Sequence, residues 1–325
     1  MSLVSVVIPM HNRRALIEET LRSALAQQWP SVEVIVVDDG STDGSSEHVE
    51  RVFGDRVRLI RLERNIGRSA ARNAGVAAAR GEFIAFLDSD DLWDPGKLAR
   101  QMPAFADPSV MLVHCRVRQI DSSGRVDTRE TDTIARAFEA AEARGYDYGG
   151  ITATWCRMYT PAVVVRRTSL ERSGGFDPAL SRFEDWDLFW RIARDGKVVT
   201  VPEVLVSVRA HEGNVEPRWA ALAEPFARVA EKHLAEIAAL SRTPALRRAE
   251  HNLQMNRALA AHWRGDRAAA REGLRRALRV EGAPTLLPWH PTWGALLLHA
   301  ALPPRVANGI ASLLGVDRYR DVGRR

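Results

Sequence analysis

The chain has 325 residues, 46% of them hydrophobic and 27% charged, and a formal net charge of +5. That balance is typical of a soluble globular protein, and the length predicts one domain of roughly 200–230 residues with an appendage. Two cysteines, Cys115 and Cys156, exclude a disulfide framework or cysteine metal cluster and suit a reducing cytosol. No stretch reaches the length of a membrane span: the most apolar, 294–302, is short and contains His299.

Residues 3–8 follow no basic leader, and their apolar run is too short for a signal core, so they read as a first strand. It ends at Pro9-Met10-His11-Asn12, after which Leu16, Ile17, Leu21, Ala24 and Leu25 fall on one face of an amphipathic helix. A second strand over 32–37 ends in Asp38-Asp39-Gly40-Ser41-Thr42-Asp43, where Ser41, Thr42 or Asp43 can cap a helix running to about residue 53. A third strand over 57–62 precedes an Ala-rich helix that opens within 65–75 and reaches residue 80.

Phe83 to Leu87 are consecutive apolar residues, and a half-buried strand would alternate, so this strand is predicted to be buried on both faces. It stops at Asp88-Ser89-Asp90-Asp91. Ligands of open α/β sheets bind at the carboxyl ends of the strands, and Asp88 and Asp90 can lean toward one hard cation whose shell is completed by substrate phosphates. The same acids equally suit a strand-to-helix turn, since 92–102 reads as helix. Strands alternating with helices of about ten residues predict βαβ units: a Rossmann-like α/β fold, with a mostly parallel central sheet flanked by helices. A dinucleotide fold would need Gly-x-Gly-x-x-Gly after the first strand, where this chain has Pro9-Met10-His11-Asn12-Arg13-Arg14; the phosphate loop is missing too.

Beyond residue 109 the pattern predicts a strand over 110–120, a turn over 121–124 and a helix over 135–144. A loop over the cleft at 146–159 follows, whose Trp155 and Tyr159 can stack on a sugar or equally belong to the core. A strand over 163–165 and turn chemistry over 173–178 lead to a helix over about 184–194. Its first turn carries Glu184, Asp185 and Asp187 beside Trp186 and Trp190. Acids there favour the helix dipole, while crowding and partial burial raise a carboxylate pKa, as a base requires. Strands over 198–201 and 204–208 precede His211, either a surface histidine or a metal ligand.

From residue 219 the chain is rich in helix formers, with an αα-hairpin over 247–263 and 267–280, no repeat at a fixed period, and a last apolar pair at 296–302 and 306–314. Residues 241–325 hold 15 Arg, no Lys and 6 acids, a balance of +9 that leaves about −4 for the rest. Such a tail either solvates helices or meets an anionic partner such as a membrane surface.

In order, Val4-Ser5-Val6-Val7-Ile8-Pro9 with Asn12, Val36-Val37-Asp38-Asp39-Gly40-Ser41-Thr42-Asp43, Arg72-Asn73-Ala74-Gly75, Asp88-Ser89-Asp90-Asp91, Gly174-Gly175-Phe176-Asp177, Glu184-Asp185-x-Asp187-Leu188 and His211 resemble the large second family of glycosyltransferases, with the GT-A fold. The resemblance spans roughly residues 1–215 and implies a GT-A domain there, a nucleotide-binding half over 1–107 and an acceptor half over 108–215, with 216–325 as a helical C-terminal region. It implies an inverting enzyme that moves a sugar from a nucleotide-sugar donor, UDP-linked first of all, to a glycan, glycolipid or protein acceptor in surface glycan synthesis.

By that resemblance Pro9, Asp38 and Asp39 contact the nucleotide base, with Asn12 on the same donor side. Arg72 sits near the ribose or diphosphate, Asp88 and Ser89 near ribose or sugar hydroxyls, and Asp90 with His211 at a divalent cation, Mn2+ or Mg2+. Asp185 is the expected base, and Trp155, Tyr159, Glu184 and Trp186 are candidate acceptor contacts. The implied place is cytoplasmic, peripheral at the inner face of the membrane through the Arg-rich tail, with no nucleic acid partner. Two alternatives stand beside it: a sugar-phosphate nucleotidyltransferase, which shares the sheet but wants a Gly-rich loop after the first strand, and an inactive nucleotide-sugar-binding module docking through its tail.

Overall fold

The computed structural model describes residues 2–142, 158–210, 219–240 and 243–280. These fall into two compact units, 2–142 with 158–210 and 219–240 with 243–280. The boundary expected at 215–216 lies outside the described residues.

The first unit is built on one sheet of eight strands: β1 (Val4–Met10), β2 (Val32–Asp38), β3 (Arg58–Arg61), β4 (Phe83–Phe86), β5 (Leu92–Trp93), β6 (Val110–Ile120), β7 (Val163–Arg166) and β8 (Lys197–Arg209), in the order β3-β2-β1-β4-β7-β6-β8-β5. The pairs β1–β2, β1–β4, β2–β3 and β6–β8 are parallel, while β7 runs antiparallel to β4 and β6 and β5 antiparallel to β8. Helices α1 (Ile17–Leu25), α2 (Ser45–Phe53) and α3 (Arg68–Ala78) are the parallel crossovers; α4 (Lys97–Gln101), α5 (Thr128–Glu142), α6 (Arg167–Ser173) and α7 (Glu184–Asp195) belong to the mixed half. The apolar runs do what their lack of alternation predicts. Val4, Val6, Val7 and Ile8 of β1 are all buried, as are Phe83 to Leu87, and each such side chain contributes about 1.5–3 kcal/mol.

Helix α1 buries Ile17, Thr20, Leu21 and Ala24, a stripe at spacings of three and four. Helix α3 lies so close to the sheet that a Cβ at Gly75 would stand 2.4 Å from Val7 Cγ1 and 3.2 Å from Val37 Cγ2. Glycine is therefore a packing requirement there.

Three expectations are corrected. The helix read over 92–102 is a short strand, β5, then α4 from Lys97 and a 3-10 turn over Met102–Ala106. Pro95 and Gly96 break the pattern, the Asp94 carboxylate accepts the Gly96 N–H (2.9 Å), and Trp93 Nε1 donates to the Pro161 carbonyl (2.8 Å), which holds β5 in the sheet. The two strands read over 198–208 are the single strand β8. Pro202 falls where the β6–β8 ladder slips, and the long partner β6 carries the pairing across the gap. The helix expected from 135 begins at Thr128, because Asp127 Oδ1 accepts the Glu130 N–H (3.0 Å) and caps it seven residues earlier.

In the second unit, α8 (Trp219–Ile237), α9 (Pro244–Trp263) and α10 (Arg267–Leu278) bury Leu253, Ala258, Leu259, Leu274 and Ala277. Thr243 caps α9 by accepting the Leu246 N–H (3.2 Å), with Pro244 at the first helical position; Asp266 caps α10 through Ala269 N–H (2.9 Å). The expected αα-hairpin is present, and no described helix is long and apolar enough to cross a membrane. The apolar pair read at 296–314 lies outside the described residues.

Gly75→Leu is expected to destabilise the first unit by about 3 kcal/mol through overpacking against β1, more than the roughly 1 kcal/mol of helix propensity it gains. A urea denaturation midpoint at or above that of the natural chain would show that the α3–sheet contact is looser than this geometry.

Candidate active site

The carboxyl ends of β1, β2 and β4 lie side by side, because Met10 pairs with Asp38 and Val7 with Phe86. At the end of β2, Asp38 Oδ1 accepts the Ser41 N–H (2.9 Å) and its other oxygen takes the Ser46 hydroxyl, while both Asp39 oxygens accept backbone N–H groups, from Ile66 (2.7 Å) and Gly67 (2.9 Å). Both acids are buried, and in this structure they hold loops. Gly40 sits at φ +71 with its Cβ direction 2.7 Å from the Arg64 and Asn65 backbone, so no side chain fits between the two loops that Asp39 ties together.

After β1, Pro9 lies in the ladder opposite Val37. His11 Nδ1 donates to the Asp39 carbonyl (2.8 Å), and Asn12, in the left-handed region at φ +52, donates through its backbone N–H to Ser41 Oγ (2.9 Å) and accepts the Thr42 N–H (2.8 Å). Arg13 then reaches across to Asp90, its Nε donating to Oδ2 at 3.3 Å. The residues that follow β1 and β2 are thus joined to the end of β4 by a run of polar contacts.

At the end of β4, Ser89 is buried, and Asp88 Oδ1 accepts from Arg72 Nη2 at 2.7 Å. The second hydrogen-bonding arm of Arg72 goes to Glu184: Nη1 donates to Oε1 at 3.0 Å, with Arg68 Nε 3.6 Å from the same oxygen. The Arg72 guanidinium is 3% exposed and lies 5.2 Å from the Phe176 ring centroid. Burial opposes its charge, yet Asp88 and Glu184 outweigh it and hold its pKa above the ordinary value. Glu184 and Arg72, expected at the acceptor and the donor, are here partners of each other.

Helix α7 starts from Phe183 at φ +59. Asp187, fully buried, pairs with Arg191 (3.1 and 2.6 Å), which also donates to the Ser173 and Gly175 carbonyls, and Asn73 of α3 bonds the Phe176 backbone on both sides (2.8 and 2.9 Å). Asp187 is therefore a structural acid. Asp185 is different. Its Oδ2 accepts the Thr160 hydroxyl (3.2 Å) and its Oδ1 the Trp186 N–H (2.8 Å). Burial first, and the Glu184 charge second, push its pKa from 3.8 up to about 7, against the opposing pull of Arg72 and the two hydrogen bonds. A carboxyl poised near neutrality can take and release a proton.

Asp91 is buried and accepts the Arg209 N–H (2.8 Å). Burial and the charges of Asp88 and Asp90 push its pKa well above the ordinary range. Arg209, at the end of β8, also donates to the Asp90 carbonyl (3.0 Å), the Ser122 carbonyl (3.1 Å) and Glu19 (2.6 Å), strapping β8 to this turn. His211, two residues on, and Trp155 lie outside the described residues. Tyr159 is half-buried and packs against the core, with its ring 6.4 Å from Phe138; the Trp186 ring lies tilted to those of Phe183 (5.1 Å) and Trp190 (6.0 Å).

The donor set suits a hard divalent cation: Asp88 and Asp90 offer carboxylate oxygens, and the raised Asp91 carboxyl records the negative charge gathered at this turn. Among the described residues no group of three or more His, Cys, Asp or Glu could hold a metal by itself. Thr160, Arg13 and Arg209 were not legible as site residues, since nothing local marks a threonine or an arginine whose partner lies 25 to 119 residues away.

A family model described as Glycosyl transferase family 2 matches residues 5–168. An uncharacterized glycosyltransferase of Nostoc sp. is 32% identical over 65% of this chain, and the putative teichuronic acid biosynthesis glycosyltransferase TuaG of Bacillus subtilis is 43% identical over 31% of it; the matched stretches span 66% and 40% of those relatives' own lengths. Among solved structures, the mannosyltransferase PcManGT of Pyrobaculum calidifontis, in complex with GDP-Man and Mn2+, has a TM-score of 0.61 at 22% identity, covering 99% of this chain and 83% of that one. TarS 1-349 of S. aureus with UDP has a TM-score of 0.59 at 20% identity, covering 99% and 90%. At these identities the likeness establishes the GT-A-type fold alone.

Because the folded Asp185 binds its proton more tightly than the unfolded chain, it lowers stability as pH rises from about 4 to about 7. Asp185→Asn removes that loss. At about 1.36 kcal/mol per pH unit it is expected to stabilise the protein by roughly 2–4 kcal/mol at pH 8 and by almost nothing at pH 4. Equal stability of the two proteins at pH 8 would mean that Asp185 titrates as an ordinary exposed acid.

Proposed function

Because the chain belongs to glycosyl transferase family 2, we propose that it is an inverting glycosyltransferase that moves a sugar from a nucleoside diphosphate to an acceptor hydroxyl in surface glycan, polysaccharide or glycoprotein synthesis. The observation that carries this reading is the Asp88–Arg72–Glu184 pairing around a buried guanidinium: it holds the acids at the end of β4 against the start of α7, beside an Asp185 carboxyl whose pKa is near 7. An acid region that suits a donor diphosphate with its cation and an acid that suits an acceptor hydroxyl then lie on either side of one ion-paired arginine.

In this reading the donor lies along the ends of β1, β2 and β4. Pro9, Asn12, Asp38 and Asp39 face the nucleotide base, while Asp88 and Ser89 face ribose or sugar hydroxyls; Arg72, buried behind Asp88, acts by holding that carboxylate. Asp90 with His211 would hold a divalent cation, Mn2+ or Mg2+, which when bound neutralises the charge that grows on the departing diphosphate. Ionised Asp185 takes the proton of the acceptor hydroxyl as its oxygen bonds to the anomeric carbon and the carbon–diphosphate bond breaks; base catalysis of this kind gives a factor of about 10² to 10⁴. One in-line displacement inverts the anomeric centre. Trp186 and Trp155 supply faces for an acceptor sugar, whereas Glu184, 5% exposed, serves α7. Uridine donors are the first choice, supported by TarS with UDP, and guanosine donors the second, by PcManGT with GDP-Man. A surface polysaccharide acceptor is supported by the likeness to TuaG.

Thermal-shift measurements with Mn2+ and UDP-, GDP- and dTDP-sugars are expected to single out one nucleotide. Asp185→Asn should bind that donor as tightly as the natural chain while transfer falls by about 10² to 10⁴, and Asp90→Ala should lose the Mn2+-dependent part of donor binding. Normal turnover by Asp185→Asn would remove the base assignment.

The +9 balance of residues 241–325 supports peripheral docking of the full chain on an anionic membrane. Binding to vesicles containing phosphatidylserine or phosphatidylglycerol is expected at low salt and to be lost near 0.5 M salt, where the screening length is only about 4–5 Å. Binding that is absent at low salt, or that persists at high salt, would refute electrostatic docking.

A further inference from the structure

The Asp185 carboxylate is held by a residue from the turn before β7. Thr160 is 4% exposed and opens the turn Thr160–Ala162 that leads into β7. That turn is fixed from three directions: the Pro161 carbonyl accepts from Trp93 Nε1 (2.8 Å), the Ala162 carbonyl from Gln101 Nε2 (2.9 Å), and β7 pairs antiparallel with β4, with Ala85 opposite Val164. The antiparallel register sets the start of β7 beside the end of β4, so Thr160 emerges next to the turn that carries Asp88 and Asp90. Its hydroxyl donates to Asp185 Oδ2 at 3.2 Å, and the Trp186 N–H occupies Oδ1 at 2.8 Å. One donor on each oxygen fixes the plane of the carboxylate and leaves each oxygen a further lone pair.

We propose that Thr160 is the positioning residue of the base: its hydroxyl aims the Asp185 carboxylate and favours its ionised form, coupling the base to the donor-binding end of β4. The role rests on the reading of Asp185 as the base. Thr160 needs no contact with substrate. Its hydroxyl offers a hydrogen bond to the charged state that weakens once the carboxyl is protonated, so it counteracts burial and the Glu184 charge, the two influences that favour the protonated acid. Among the described residues the charges that act on Asp185 are Glu184 on α7 and Arg72 from α3, with the Asp187–Arg191 pair further along α7; Arg68 and Asp88 act at one remove, through Glu184 and Arg72. The Thr160 hydroxyl differs from these in carrying no charge, so it can be removed without changing the charge count of the site.

The test uses the full chain labelled with carbon-13 at the Asp carboxyls, in metal-free buffer, with the Asp185 signal identified by its loss in Asp185→Asn. In Thr160→Val, which keeps the shape and removes the hydroxyl, the Asp185 midpoint is expected to rise by about half a pH unit to one unit. In Thr160→Ser, which keeps the hydroxyl, it should stay within about 0.2 units of the natural chain. In a turnover assay reading nucleoside diphosphate released from the donor found by thermal shift, Thr160→Val should lower kcat about tenfold, move its acidic limb to higher pH and leave the KM for donor unchanged. An Asp185 midpoint that does not move in Thr160→Val, or one that moves as far in Thr160→Ser, overturns the inference. Should the valine variant fail to fold, the comparison of Thr160→Ser with Thr160→Ala reads the same midpoint. The two ideas fail separately. Normal turnover by Asp185→Asn ends the base reading whatever Thr160 does, and an inactive Asp185→Asn with an unmoved midpoint in Thr160→Val ends only the positioning role.

Discussion

A single buried guanidinium organises this protein. Arg72 has almost no contact with water, and a lone cation in that place would cost several kcal/mol in lost hydration. It is tolerated because Asp88 and Glu184 meet it at 2.7 and 3.0 Å and the Phe176 ring covers its face, although its Nε finds no partner among the described residues. The pairing is specific in direction as well as in charge. It joins the end of β4 to the first turn of α7, two segments separated by about a hundred residues, and so decides which carboxylate stands next to which. Asp185 feels the result directly: burial pushes its pKa up first, the Glu184 charge adds to that and the Arg72 charge pulls it back, which leaves the carboxyl raised to about 7.

The sheet explains how such a pairing becomes available. Its parallel half, β3-β2-β1-β4, aligns strand ends whose turns carry Asp38, Asp39 and Asp88 to Asp91, as crossover connections with short helices dictate. The other half departs from that rule. β7 is inserted antiparallel between β4 and β6, so a turn from the second half of the unit meets the acid end of the first. Thr160 and Asp185 are contributed across that junction, and Arg209 closes the far side by strapping β8 to Asp90 and Asp91. The parallel half sets acids at neighbouring strand ends, and the antiparallel insertion brings Thr160 to the Asp185 carboxylate.

The acids of the site also separate into two kinds, and hydrogen bonding makes the distinction. Asp38, Asp39 and Asp187 spend their oxygens on backbone amides, a serine hydroxyl or a neighbouring arginine, and they hold loops and a helix in place. Asp185 keeps only two uncharged donors and sits against a like charge, which is the condition for reactivity. The helical unit from residue 219 is built on other terms, by capping at Thr243 and Asp266 and by Leu and Ala packing.

Much of this was legible in the residues alone. Unbroken apolar runs such as Phe83 to Leu87 read as strands buried on both faces because alternation is absent. The acids follow those strands because strands end where polar residues begin. Helix stripes and the αα-hairpin follow from spacing, and a handful of short motifs in order name a fold family. What the residues did not disclose is pairing across long separations. The antiparallel place of β7, the single β8 and the β5 strand in place of a helix depend on which partner is at hand. So do the pairing of Arg72 with Glu184 and the choice of Thr160 as the neighbour of Asp185. Periodicity and capping are local and leave their mark within a turn or two of chain; an ion pair between residues 72 and 184 is settled only when the whole chain has closed around it.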